Sequence, residues 1–311
     1  MLLRQLEYLS ALARERHFAR AAAACHVSQP ALSAAIRRLE SDLGVQIVRR
    51  ERRFGGFTPE GERVVVWAHR MLADQDAMRQ DLDRMAGGLT GKLRIGAIPT
   101  ALTAAPLLTA PFSDQHGRVR ISIESLSSRE IVRKLAEYEL DVGMTYVDGE
   151  GLGGSVRTVP LYRERYLLLT PEDSPIAERS SAPWDDVATL PLCLLSPVME
   201  NRRILDRAFA AVGVAVEPML EADAVSVLYA HVATHRWSTI IAHAWLHLFG
   251  VPDGMRIVPM VAPAQSHRIG LVLPDRVPEP MLARAVLDVA AQVDLRAELD
   301  ELLRRHVRSR S

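Results

Sequence analysis

The chain has 311 residues, room for two or three domains that each bury a core of their own. Its 38 Lys and Arg balance 38 Asp and Glu, so no global basic field marks a nucleic-acid partner and any such signal has to be local. Two cysteines, Cys25 and Cys193, are too few and too far apart for a disulfide scaffold and suit a reducing compartment. No stretch reaches the roughly 18 uncharged residues of a membrane span. Met1–Leu12 carries Arg4 and Glu7 inside a helix pattern rather than an apolar signal core. A cytoplasmic protein without membrane contact is expected.

Leu3, Leu6, Leu9 and Leu12 mark a first helix. A second runs from Phe18 to Cys25, where small Ala21 and Ala22 permit a close helix crossing. After a break at His26-Val27, Ser28 is a good N-cap and Pro30 is tolerated in the first turn. Leu32, Ile36, Leu39 and Leu43 then recur at helical spacing, with Gln29, Ser33, Arg37 and Arg38 on the opposite face. This pattern predicts a helix-turn-helix whose second helix enters the major groove by its polar tip. An ordinary helical hairpin explains the stripe but not the capped polar tip and the arginines behind it. Arg49-Arg50-Glu51-Arg52-Arg53 follows, four basic residues in five, between Val45–Val48 and Phe54–Phe57. Those flanks and Gly55-Gly56 read as a two-stranded wing closing a first domain over 1–58.

Thr58-Pro59 caps a long helix in which Val64, Ala68, Met71, Gln75, Met78, Leu82 and Met85 alternate at four and three. That seam, about 40 Å long at 1.5 Å per residue, predicts a dimerisation helix in a linker over 59–90, ending at Ala86-Gly87-Gly88. From Gly91 strands alternate with helices. Strands are expected at Leu93–Ile98, Val119–Glu124 and Leu140–Tyr146, and helices at Thr100–Phe112 and Arg129–Tyr138. A second block begins near Tyr162, with strands at Tyr166–Leu169, Leu192–Leu195 and Thr239–Ile241 and helices at Asn201–Val212 and Ser226–Ala233. Arg268–Leu273 returns as a strand before a closing helix, Met281–Leu302. The expected body is α/β with two lobes around a cleft, lobe I over 91–161 and 266–311, lobe II over 162–265.

The run RAAAACHVSQPALSAAIRRLESDLGVQIV, followed by FTPEGE, resembles the LysR-type bacterial transcriptional regulators, and the resemblance extends over essentially the whole chain. It implies a winged helix-turn-helix, a linker helix and an effector domain of the periplasmic-binding-protein type. It also implies a homodimer or homotetramer on a promoter palindrome, a small-molecule effector that alters DNA bending, and contact with RNA polymerase. Neither a cofactor nor an enzymatic activity is implied. Carried over residue by residue, Ser28 caps the reading helix while Gln29, Pro30 and Ser33 approach base edges or phosphates. Arg37, Arg50 and Arg52, with Arg38 and Arg53 beside them, are candidates for the DNA backbone.

Two departures stand out. Ala34 and Ala35 replace the usual basic residue and Gln, which thins direct readout and leaves more to the wing and to DNA shape. Cys25 replaces an inward leucine; it is either a small apolar plug or a redox switch, with no neighbouring cysteine to resolve an oxidised sulfur. An actinobacterial oxidative-stress branch of the family, OxyS-like, shares the ERHFARAA…C run.

In α/β lobes ligands gather where strands end and helices begin. Here those points carry Thr100 and Thr103, then Ser127 and Ser128 (Ser127-x-x-Glu130 forming a capping box), then Ser196. Hydroxyls beside helix N–H groups suit a small anion, and the resemblance places effector contacts at the same points. Plain helix capping explains each one singly. Asn201, with Thr145, Met199 and Ser226, extends the candidate set, and Arg236 or His243 is expected to face the cleft as a cation. The pairs His231/His235 and His243/His247 have i,i+4 spacing but no Cys or carboxylate companion, so no metal is expected. The rival reading is a two-lobed solute-binding protein or enzyme. Against it, the chain has no GxSxG, no P-loop and no GxGxxG after a strand, and Gly149-Glu-Gly-Leu-Gly-Gly reads as a surface turn.

Overall fold

A computed structural model of the chain describes residues 2–49, 54–85, 87–148, 156–276 and 279–308. It divides into two compact units, 1–91 with 136–139, and 92–135 with 140–311.

In the first unit α1 (Leu3–Glu15), α2 (Phe18–Ala24) and α3 (Gln29–Leu43) enclose Leu6, Leu9, Leu12, Ala21, Ala22, Leu32, Ile36 and Leu39. The side chains of Ala21 and Ala22 are small enough to let the helices cross this closely. Leu3 and Leu43 belong to the sequence stripes yet are exposed. Each lies at the outer end of its helix, Leu43 immediately before Gly44 closes α3 at φ 68, beyond the reach of so small a core. Thr58 starts α4 (Pro59–Met85): its Oγ1 accepts the Gly61 N–H at 2.9 Å. Val65 and Ala68 of α4 join the same core, while Trp67, Met78, Leu82 and Met85 are exposed. Among the described residues the wing is one antiparallel bridge, Val48 with Phe57, rather than a pair of strands. The Glu40 carboxylate takes the N–H groups of Ile47 (2.8 Å) and Val48 (3.0 Å), so the Ile47 N–H is not available to extend the ladder toward Thr58.

The second unit opens with β1 (Gly91–Ala97), α5 (Pro99–Leu102), α6 (Pro106–Gln115), β2 (Val119–Ser125), α7 (Ser128–Ala136) and β3 (Val142–Tyr146). The single helix expected over Thr100–Phe112 is two. Pro106 has no N–H to continue the ladder, and its ring conflicts with the carbonyl four residues back, so it begins a new helix. Next come β4 (Val156–Pro171), β5 (Ala182–Pro183), α8 (Trp184–Val187), β6 (Cys193–Leu195), α9 (Glu200–Ala211), β7 (Leu220–Ala222) and α10 (Val225–Val232). The chain ends with β8 (Thr239–Ala242), a short 3-10 turn at His243–Trp245, α11 (Leu246–Phe249), β9 (Met255–Val261), β10 (Ser266–Pro274), α12 (Met281–Gln292) and α13 (Leu295–Arg308).

The main sheet has the order β2-β1-β3-β10-β4-β9-β5, with β8 also paired to β4, and β6-β7 form a small parallel sheet. β1 and β3 are parallel, while β10 runs antiparallel to β3 and β4. β4 pairs with β10 over its first part and with β8 and β9 over its last, so it passes unbroken through the expected lobe boundary at 161/162. Pro160 obscures this strand in the sequence; it sits where the β4–β10 register shifts, the one kind of interior place where a missing N–H is tolerated. The expected closing helix is also two, because Asp294 caps a new start by accepting the Ala297 N–H at 2.9 Å. α13 then buries Leu303 in a core with Leu167, Ile241 and Trp245.

Candidate nucleic-acid interface and effector cleft

Ser28 Oγ accepts the Ala31 N–H at 3.3 Å, fixing the start of α3. Gln29 and Pro30 are exposed at its tip, and the exposed Arg37 and Arg38 follow on the same helix. Arg37 Nη1 donates to the half-buried Ser33 hydroxyl at 3.2 Å, which couples the two side chains. Positive partial charge at a helix start and two guanidinium groups behind it form a local phosphate-attracting surface on a neutral chain. Arg50, Arg52 and Arg53 lie outside the described residues. Arg49 is described: exposed, with Nε donating to Phe57 O at 2.9 Å. Glu40, which ties the wing to α3, is not marked by the sequence; a carboxylate reaching back from seven residues away leaves no local pattern.

Cys25 ends α2 and is half-buried against the helix-turn-helix core. Burial pushes its thiol up, with Arg14 opposing and Glu7 reinforcing. Cys193 is wholly buried, and burial raises it to about 11. Neither sulfur is a ready thiolate at neutral pH.

In the second unit, Ile98, Pro99, Thr100, Ser127, Tyr146, Met199, Glu200 and Asn201 line a concave space. Of the residues expected there from sequence, Thr100, Ser127, Asn201 and Met199 are present. Ser226 is exposed on α10, and Thr103, Ser128, Thr145 and Ser196 are engaged elsewhere. Thr103 Oγ1 donates to Thr100 O at 3.0 Å, Ser128 Oγ accepts from Thr145 Oγ1 at 2.8 Å, and Ser196 Oγ donates to Asp223. The Ser127 capping box is closed in both directions: Ser127 N–H and Oγ–H reach Glu130 Oε2 at 2.9 and 2.7 Å, and Glu130 N–H returns to Ser127 Oγ at 3.3 Å. Hydrogen bonds from Ser127 hold the Glu130 carboxyl below its usual range.

The expected cations are not in this space. Arg236 is exposed on the turn after α10. His243 is buried, its Nδ1 accepting the Arg165 N–H at 3.2 Å. Burial, then Arg165, push His243 down to about 4, against a weaker pull from Asp300, so it is neutral at physiological pH. Trp245 is buried in the core of Leu167, Ile241 and Leu303, and Trp237 packs against that core. His243 and His247 differ in burial, and among the described residues no three metal-ligating side chains gather.

Beneath the lining lies a residue the sequence did not flag. Glu164 on β4 is fully buried, and its Oε1 accepts from the Tyr146 hydroxyl at 2.7 Å and the Tyr166 hydroxyl at 2.9 Å. Burial lifts its carboxyl to about 7, partly offset by the hydrogen bonds from Tyr146 and Tyr166 and by Thr100 and Asn201 nearby. Tyr146 and Tyr166 are held well above their usual value, first by burial and then by Glu164.

Residues 3–62 match the family model described as bacterial regulatory helix-turn-helix protein, lysR family, and residues 86–294 match the LysR substrate binding domain. The chain belongs to the LysR family of transcriptional regulators. This LysR regulator is 30% identical over 276 residues to the DNA-binding transcriptional dual regulator OxyR of Escherichia coli K12, covering 88% of this chain and 89% of that one. It is also 30% identical over 277 residues to a probable hydrogen peroxide-inducible genes activator of Streptomyces viridosporus, covering 87% of each. Among solved structures, a full-length OxyR variant from Pseudomonas aeruginosa, with a cysteine replaced by aspartate, superposes with TM-score 0.75 at 25% identity, covering 96% of this chain and 97% of that one. The LysR regulator CbnR, solved with its target DNA, shares the fold at TM-score 0.66 and 19% identity, covering 94% and 99%. The chain is thus a DNA-binding regulator with an oxidative-stress kinship, and the family's members are regulators rather than enzymes. Among the described residues no helix is long and apolar enough to cross a membrane.

Proposed function

We propose that this LysR regulator grips promoter DNA as a homo-oligomer through α3, and that a small molecule in the cleft sets the strength of that grip. The observation that carries the reading is the division of α3: Leu32, Ile36 and Leu39 are buried while Gln29, Pro30, Arg37 and Arg38 face outward from a capped tip. Gln29, Pro30 and Ser33 act at the groove, and Arg37 and Arg38 act on the phosphates. Arg50, Arg52 and Arg53, outside the described residues, belong to the same role by their sequence. The exposed Trp67, Met78, Leu82 and Met85 along α4 are the seam on which two copies join. The cytoplasm is the place of action and RNA polymerase the downstream partner.

Fluorescence anisotropy on the chain's own upstream region tests the reading. Replacing Arg37 and Arg38 by Ala should weaken target and random DNA alike and reduce the salt slope by roughly two. A loss confined to target DNA contradicts the phosphate assignment.

A second reading follows from the position of Cys25 at the end of α2 and from the peroxide-related names of the relatives. A peroxide oxidises the Cys25 thiol to sulfenic acid, releasing water or an alcohol, and the polar product loosens the small core. Equal peroxide sensitivity of DNA binding in wild type and Cys25→Ser ends it. The raised thiol pKa favours the cleft over this switch.

A further inference from the structure

The floor of the cleft leaves a defined set of hydrogen-bonding atoms unmet. Only Oε1 of Glu164 is engaged; Oε2 has no hydrogen-bond partner among the described residues, and neither have Thr100 Oγ1, Asn201 Nδ2 and the Tyr162 hydroxyl. Each of these side chains is more than nine-tenths buried. Thr100 of α5 and Asn201 of α9 also line the open space, and both stand near enough to the Glu164 carboxyl to favour its charged form. Buried polar atoms left in this way are unfavourable unless something completes them. The complement to a carboxyl oxygen on one side and an amide N–H on the other is a group that both donates and accepts.

Among the described residues no cation is placed to hold an anion there. Arg202 on α9 is engaged with Leu195 O, Asp206 and Glu221. Arg203 and Arg207 both bind Glu200, which adds a second carboxylate at the rim. From the core side His243 is edge-on to Tyr162 and neutral. From β10 His267 is edge-on to Tyr146 and Tyr166, and Asp148 lies 3.9 Å from its Nδ1.

We propose that the cleft floor takes the head of a small uncharged ligand, a primary amide or an undissociated carboxylic acid. Its donor rests on Glu164 Oε2 and its acceptor on Asn201 Nδ2, so that a carboxylate enters only together with a proton. This deepens, and rests on, the reading that a small molecule occupies the cleft. The space is small, roughly that of one water-sized group, and opens at a rim by Pro99 and Met199 where the body of a ligand would lie. The Glu164 carboxyl, lifted by burial to about 7, sets the pH above which that proton is no longer at hand.

Acetamide and acetate, isosteric and differing in charge, are the probes, titrated against the full chain by calorimetry between about pH 6 and pH 8. Acetamide affinity should change less than about threefold, whereas acetate affinity should fall roughly tenfold per pH unit above about 7. In Glu164→Gln the acetate slope should vanish, and Asn201→Ala should weaken both probes. The wild-type slopes decide alone should the Gln variant not fold. Acetate binding equally well across the range, an acetate slope that persists in Glu164→Gln, or no binding of either probe overturns the proposal. If Asn201→Ala weakens both probes but acetate shows no slope, only the role of Glu164 falls. If both bind and Asn201→Ala weakens neither, the cleft reading falls with it.

Discussion

The reading head and the effector cleft solve opposite problems with the same polar residue types. On α3 the proposed DNA-contacting side chains lie within one helix, most of them exposed, and are supported from behind by a small aliphatic core. In the cleft they come from α5, β3, β4 and α9, are buried, and retain unpaired atoms. A surface that meets a polyanion needs charge that water keeps available, whereas a pocket that recognises a small molecule gains selectivity from polar groups that water cannot fully satisfy. The first arrangement tolerates loss of a side chain with a graded fall in affinity. The second turns on single atoms.

Four substitutions sharpen or break that contrast. Leu32→Ala empties a fully buried position beneath α3 and should lower stability by about 2–5 kcal/mol, read from a urea transition, with DNA binding lost alongside. DNA affinity retained at full stability would show that the core is not what holds the tip. Glu164→Gln should stabilise the protein above about pH 7 by about 3 kcal/mol and do little near pH 4. Here the folded carboxyl sits at about 7 against 4.5 in the open chain. The unfolded state therefore ionises first, and native stability drains away as pH rises from about 4.5 through about 7. Urea melts at pH 5 and pH 8 check it, and equal effects at both would contradict a buried titrating acid. Gly61→Ala places a Cβ 2.1 Å from Ile47 O; moving α4 off the wing should cost about 1–3 kcal/mol, visible as a lowered melting temperature with weakened binding. Ser28→Ala removes only the cap bond and should cost about 1 kcal/mol, with target affinity following in proportion.

The helix-turn-helix was legible because its signals are local. Ser28, Pro30 and the Leu32-Ile36-Leu39 spacing are read within one helix, and the Ser127–Glu130 capping box lies within four residues. Of the concave space the sequence marked only Thr100, Ser127, Met199 and Asn201, residues that follow strands and begin helices. Glu164 stayed hidden because it stands in the run Arg163-Glu164-Arg165, which reads as a solvated surface stretch. In the fold that strand turns the glutamate inward while Arg165 reaches out to Asp300 at 2.8 Å. Arg236 and His243 were misplaced for the converse reason: neither burial nor neutrality is written in a cation's spacing. The length of β4 was concealed by Pro160, and the split of the closing helix turned on one capping carboxylate, Asp294.

β4 and β10 run side by side over 156–165 and 266–274, slipping register between Ile269 and Gly270 opposite Pro160. A Cβ on Gly270 would come within 2.4 Å of Val159 O, so the ribbon is pressed tight at that point. The ladder changes step there with no room to open, so any side chain at position 270 would force the two strands apart at the rung where their pairing shifts.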